Sequence, residues 1–154
     1  MHRTSLVFVV FLLAVTLGVP LASGSTSDPV ISQVFASGGN AGADFTNDYV
    51  ELLNRGSASV DLAGWSIQYA TANGASWSAV ALTGTLGPGR RYLVQLGSGG
   101  TVGSALPAAD ATGTVNLAAT GGKVALVHDT AALACGASAG SCSAVTVVDR
   151  KSVV

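Results

Sequence analysis

From Val30 onward, hydrophobic residues recur at every second position in short runs, and no stretch carries the three-and-four spacing of a helical stripe. Clusters of Gly, Pro, Asn, Asp and Ser part these runs at near-regular intervals. A chain patterned in this way can bury its apolar residues only by laying strands side by side and facing one sheet with another, so it predicts an all-β sandwich or barrel. The first strand is Val30 to Phe35, followed by the loop Ser37 to Gly42. Tyr49 to Asn54 alternates, with Val50 and Leu52 directed inward and Tyr49, Glu51 and Leu53 on the opposite face. Asn54-Arg55-Gly56 supplies a turn. Trp65, Ile67 and Tyr69 share one face of the next long run, while Ser66 and Gln68 are expected on a wet face. Trp77 to Leu82 and Tyr92 to Leu96 read as further strands joined through Gly84 to Gly89, a reversal fixed by its glycines and proline. Gly97 to Gly113 carries no periodicity and reads as a surface loop. Val115 to Leu117, Lys123 to His128 and Ala144 to Val148 complete the strands.

The total of 154 residues accommodates one domain, and the formal net charge of −1 with only 10% charged residues supplies no basic field for a phosphate backbone. Specific nucleic-acid binding is therefore not expected. The mean hydropathy of +0.53 is raised partly by the N-terminus, where His2-Arg3 precedes the apolar run Leu6 to Val19 and Pro20 to Gly24 closes it with small residues. That layout is a secretory signal peptide over 1–24, with cleavage expected between Gly24 and Ser25. A membrane anchor needs about 20 consecutive apolar residues. This run is shorter and breaks at a proline, so no membrane association is expected after cleavage. Cys135 and Cys142 are the two cysteines. An even count in an exported chain predicts that they form a disulfide, in an extracellular or periplasmic setting.

Chemistry is hard to assemble from what remains. His128-Asp129 is the one possible start of a Ser-His-Asp arrangement, but no nucleophile-elbow signature accompanies it, and His128 falls in phase with Val124 and Leu126, as a packed or strand-end histidine. Gly121-Gly122-Lys123 lacks the spacing of a phosphate-cradling loop. Asp44, Asn47, Asp48 and Glu51 cluster in sequence without the alternation of a calcium loop and read as solvated turn residues. Tyr69 and Trp77 with Arg90 and Arg91 would make an aromatic-basic binding patch only if they were exposed together; strands more often turn such aromatics into a core. Neither cofactor nor metal is expected.

The run Asn47-Asp-Tyr-Val-Glu-Leu-Leu-Asn-Arg-Gly56, followed by Val60-Asp-Leu-Ala-Gly-Trp-Ser-Ile67, resembles the lamin-tail domain family. Leu86-Gly-Pro-Gly89 before Tyr92-Leu-Val94, and Gly121-Gly-Lys-Val-Ala-Leu126, resemble its later signatures, so the similarity spans Val30 to Asp149. The resemblance implies an immunoglobulin-like β-sandwich over 25–149 and marks Glu51, Asn54, Asp61, Gly64 and Trp65 as structural motif residues. Asp61 caps a turn, Gly64 reverses it and Trp65 enters the core. Glu51 lacks a partner for acid-base work and is expected to face solvent or brace a loop. The stub Arg150 to Val154 departs from the family and reads as the mark of a truncated chain. Exported bacterial proteins of this family often carry the domain ahead of a nuclease or phosphatase domain. The expected function is a secreted, non-catalytic interaction or spacer module, meeting a protein or cell-surface polymer through loops or a sheet edge. The alternative is the N-terminal fragment of a secreted nuclease or phosphatase whose catalytic domain lies outside this chain.

Overall fold

The computed structural model describes residues 29–138, 141–142 and 147–153. The signal peptide and its cleavage point lie outside the described residues. The strands are β1 (Pro29–Phe35), β2 (Tyr49–Asn54), β3 (Val60–Asp61), β4 (Ser66–Ala70), β5 (Ser78–Ala81), β6 (Thr85–Leu86), β7 (Arg91–Gln95), β8 (Ala111–Thr112), β9 (Gly122–Val127) and β10 (Val147–Val153). Among the described residues there is no helix, and so none long and apolar enough to cross a membrane.

Two four-stranded sheets form, in the orders β1-β2-β7-β8 and β10-β9-β4-β5, with β3 and β6 as a small separate pair. All pairings are antiparallel except that of β7 with β8. The two-residue alternation decides what each strand contributes to the space between the sheets. Ile31, Val50, Leu52 and Val94 enter from the first sheet, and Ile67, Tyr69, Val124 and Leu126 from the second. Val50, Leu52, Val94, Val124 and Leu126 have no exposed surface. Leu62, Trp65, Leu82, Leu86, Leu96 and Leu117 close the same core from the connecting segments. This is an immunoglobulin-like β-sandwich, held mainly by apolar burial between two sheets whose backbone groups pair with one another.

β10 and β1 join the sheets at one side. The ladder between β10 and β9 shifts register between Val147 and Asp149, and that between β1 and β2 shifts between Ile31 and Gln33. At these irregularities the Asp149 carboxylate accepts a hydrogen bond from the Ile31 amide at 2.8 Å. A bulge re-aims a side chain; here it sends Asp149 across to the other sheet.

Three expectations need correction. The expected closing strand Ala144 to Val148 stops at Val148, yet the backbone pairing continues through Arg150↔Ala125, Lys151↔Val124, Ser152↔Lys123 and Val153↔Gly122. A β-ladder uses backbone groups that every residue but proline supplies, so residues without an alternating apolar pattern still complete it. Of that expected strand, residues 144–146 lie outside the described residues, and Val147 and Val148 lie in β10. Finally, Val115 to Leu117 is not a strand, and the presumed loop Gly97 to Gly113 contains β8. Asp110 starts that strand by accepting from the Leu93 amide at 2.7 Å through its carboxylate, while its own amide donates to Leu93 O.

Candidate functional site

The motif residues lie in β2, in β3 and in the turns that follow them. Asn54, with no exposed surface, donates through Nδ2 to Ala58 O at 2.8 Å and Leu86 O at 3.0 Å and accepts from the Gly56 amide at 2.9 Å. One side chain thereby ties the end of β2 to its own turn and to β6. Asp61 accepts from the Ala63 amide at 2.9 Å, an Asx turn that leads into Gly64 at φ 82°, where a side chain would strain the backbone. Trp65 follows and is buried. His128 stacks on its ring at 4.4 Å between centroids, but the histidine is exposed just past the end of β9. Of the two places expected for His128, packed or at a strand end, it takes the second, since β9 stops at Val127.

Glu51 lies on the outer face of the first sheet. It pairs with Arg91 and accepts a hydrogen bond from Ser32 Oγ at 2.6 Å. Asp48 behaves differently from its solvated expectation, being only 1% exposed. Its two carboxylate oxygens accept from the Gly38 amide at 2.9 Å and the Leu117 amide at 2.7 Å. Burial pushes its carboxyl above the ordinary value, and those two amides pull it back. Gly38 can sit so close only without a side chain, since a Cβ there would lie 2.1 Å from the Asn47 carbonyl carbon. Asp48 thus pins two connecting segments to the start of β2. A buried acid bonded to two amides is a clamp, and nothing in the local sequence separates it from a turn aspartate.

The largest departure concerns the second sheet. Ser66 and Gln68 were expected on a wet face, yet both have no exposed surface. The segment after β9 covers them. Ser66 Oγ donates to Asp129 O at 2.5 Å, Gln68 Nε2 donates to Ala131 O at 2.8 Å, and Gln68 Oε1 accepts from the Leu133 amide at 2.9 Å. Trp77 Nε1 donates to Cys135 O at 2.7 Å, and Lys123 Nζ to Gly136 O at 2.6 Å and Gly74 O at 2.7 Å. The anchored residues 129, 131, 133 and 135 alternate, as they must when an extended segment lies across a sheet. Beneath it, Ala70, Trp77, Ala125, Val127 and Cys142 form a second apolar cluster, with Leu133 and Cys135 packed on it. The expected disulfide is present: Cys135 and Cys142 are bonded, seven positions apart in sequence. Lys123 also lies 5.6 Å from the centre of the Trp77 ring. Tyr69 and Trp77 are both buried, so the aromatic-basic patch with Arg90 and Arg91 does not form.

Arg90 and Arg91 instead line an open groove of about 390 Å³ with Thr83, Thr85, Tyr92 and Asp110. Tyr92 donates its hydroxyl hydrogen to Thr83 O at 2.8 Å, and Asp110 is engaged with Leu93. Neither histidine nor cysteine lines the groove. Among the described residues, no group of three or more His, Cys, Asp or Glu side chains is placed to hold a metal ion, and no buried side-chain nitrogen or oxygen lacks a hydrogen-bond partner. The model of the lamin tail domain matches residues 22–145. No curated protein matches the chain.

Proposed function

The chain belongs to the lamin tail domain family, and from that premise we propose that it is an exported, non-catalytic interaction module. The observation that carries this reading is the employment of its acids. Of the eight acidic residues, Asp48, Asp61, Asp110, Asp129 and Asp149 each accept a hydrogen bond from a backbone amide of this same domain, and Glu51 is held by Ser32 and Arg91. Acid-base or metal-assisted hydrolysis needs carboxylates converging on a common point and open to a substrate. These carboxylates are dispersed and turned into their own turns and ladders. Export is supported by the disulfide, which persists in oxidising compartments, and by the signal-peptide layout of residues 1–24. A module of this kind meets a protein or a cell-surface polymer through its loops or a sheet surface.

Purified residues 25–154 tested against DNA, RNA, phosphate esters and peptides, with and without divalent metal, are expected to hydrolyse none of them. Metal-dependent hydrolysis abolished by Glu51→Gln or Asp48→Asn would overturn the non-catalytic reading. Export is tested separately by mass spectrometry of secreted material, which is expected to show Ser25 at the N-terminus.

A further inference from the structure

The register of β1, β2 and β7 arranges the outer face of the first sheet in three rows. Val30, Leu53 and Arg91 form one, Gln33, Glu51 and Leu93 the next, and Phe35, Tyr49 and Gln95 the third. Phe45 folds onto the last row, 5.8 Å from the Phe35 ring and 5.9 Å from that of Tyr49, while Phe35 stacks on Tyr49 at 5.4 Å. Val30, Phe35, Phe45, Leu53 and Leu93 remain half-buried. The corresponding face of the second sheet is covered by residues 129–136, whereas this one keeps a mixed apolar surface around the Glu51–Arg91 ion pair.

We infer that this face is a self-association surface whose partner is a second copy of the same chain. The charge pattern selects that occupant. Arg91 is 60% exposed and Glu51 20% exposed in their side chains, and they stand on adjacent strands as one positive and one negative group flanked by Leu53 and Leu93. A partner of one charge sign would be attracted to one of them and repelled by the other. A second copy turned by a two-fold axis lying in the plane of the interface, along the Leu53–Leu93 diagonal, presents Arg91 to Glu51 and Glu51 to Arg91, and it matches leucine against leucine. The formal net charge of −1 leaves little long-range repulsion between copies. This inference stands apart from the export and non-catalytic readings, since it requires only the folded face.

Sedimentation equilibrium on residues 25–154 over a range of concentrations tests it. The wild-type chain is expected to dimerise, and Glu51→Arg and Arg91→Glu are each expected to weaken the dimer by about tenfold or more, with circular dichroism showing that both remain folded. An equimolar mixture of these two variants is expected to associate again as a heterodimer, because one face is then wholly positive and the other wholly negative. Repair of the pair within one chain cannot produce that result. Leu93→Ser, which leaves both charges in place, is a second variant and is also expected to weaken the dimer. The inference is overturned if the wild type stays monomeric throughout, if the single variants dimerise as the wild type does, or if their mixture fails to associate.

Discussion

The two sheets bury their inner faces alike and their outer faces differently. On the second sheet, an extended segment crosses the outer face, a disulfide closes it, and Ser66, Gln68, Ala70, Ala125 and Val127 become a buried layer beneath Trp77 and Cys142. On the first sheet, the outer face keeps Phe35, Leu53 and Leu93 half-exposed around Glu51 and Arg91. The contrast shows how a small sandwich with many alanines and glycines gains a second core without a longer chain. It folds a piece of weakly patterned sequence back over a sheet and satisfies the polar residues there with backbone groups. Among the described residues, no such segment covers the first sheet.

The contrast is broken most severely at the aromatic residues. Trp77→Ala is expected to cost about 3–5 kcal/mol, the usual range for emptying a buried aromatic site. Phe35→Ala on the open face should cost about half as much, because a half-buried ring has less apolar surface to return to water. Urea denaturation of both variants compares them directly; equal losses would mean that the two outer faces are not different in kind.

Removing the cover's closure is the next largest change. Replacing Cys135 and Cys142 together by serine is expected to lower stability by about 2–3 kcal/mol, the loop-entropy range for so short a ring. Amide exchange should accelerate first at residues 131–135 and at β4, with β2 and β7 keeping their protection. Equal acceleration in both sheets would show that the cover is not a separable layer.

Both sheets also carry buried polar clamps, and two of these, Gln68 and Asp48, should differ in their response to pH. Gln68 is neutral, and Gln68→Ala leaves Ala131 O and the Leu133 amide without their partner, at about 1–3 kcal/mol independent of pH. Asp48 has its carboxyl raised by burial, so the folded state holds that proton more tightly than the unfolded chain does. Its contribution is therefore greatest below the ordinary value of an unfolded aspartate, falls as pH rises through the folded value, and is level above it. Denaturation midpoints measured across the acidic range should lose this component of slope in Asp48→Asn.

The smallest effect belongs to the open face. Glu51→Gln is expected to change the stability of the single chain by less than about 1 kcal/mol, as for other solvent-exposed pairs. A loss of several kcal/mol in thermal melts at low protein concentration would mean that the pair is buried and that this face is covered after all.

The alternating runs around Val50, Leu52, Ile67, Val94, Val124 and Leu126 made the inner core readable, because a strand between two sheets must place every second residue there. The local turns were readable for a similar reason: Asn54 and Asp61 bond amides two residues on, Gly64 follows them, and the two cysteines lie seven positions apart. Within the covering segment, Ala, Ser and Gly carry no period, so the burial of Ser66 and Gln68 could not be seen; their polarity argued for solvent until backbone groups 63 to 65 positions away met them. Asp48 escaped for the same reason, since its partner Leu117 lies 69 positions on. β8 and the continuation of β10 escaped because they rest on backbone pairing, which sequence pattern does not record. The sequence by itself thus determined the fold class, the inner faces of the strands and the turns between them, all of which follow from short-range periodicity. Only the tertiary structure decided which outer face is covered and which is open, because that depends on where distant backbone donors and acceptors come to rest.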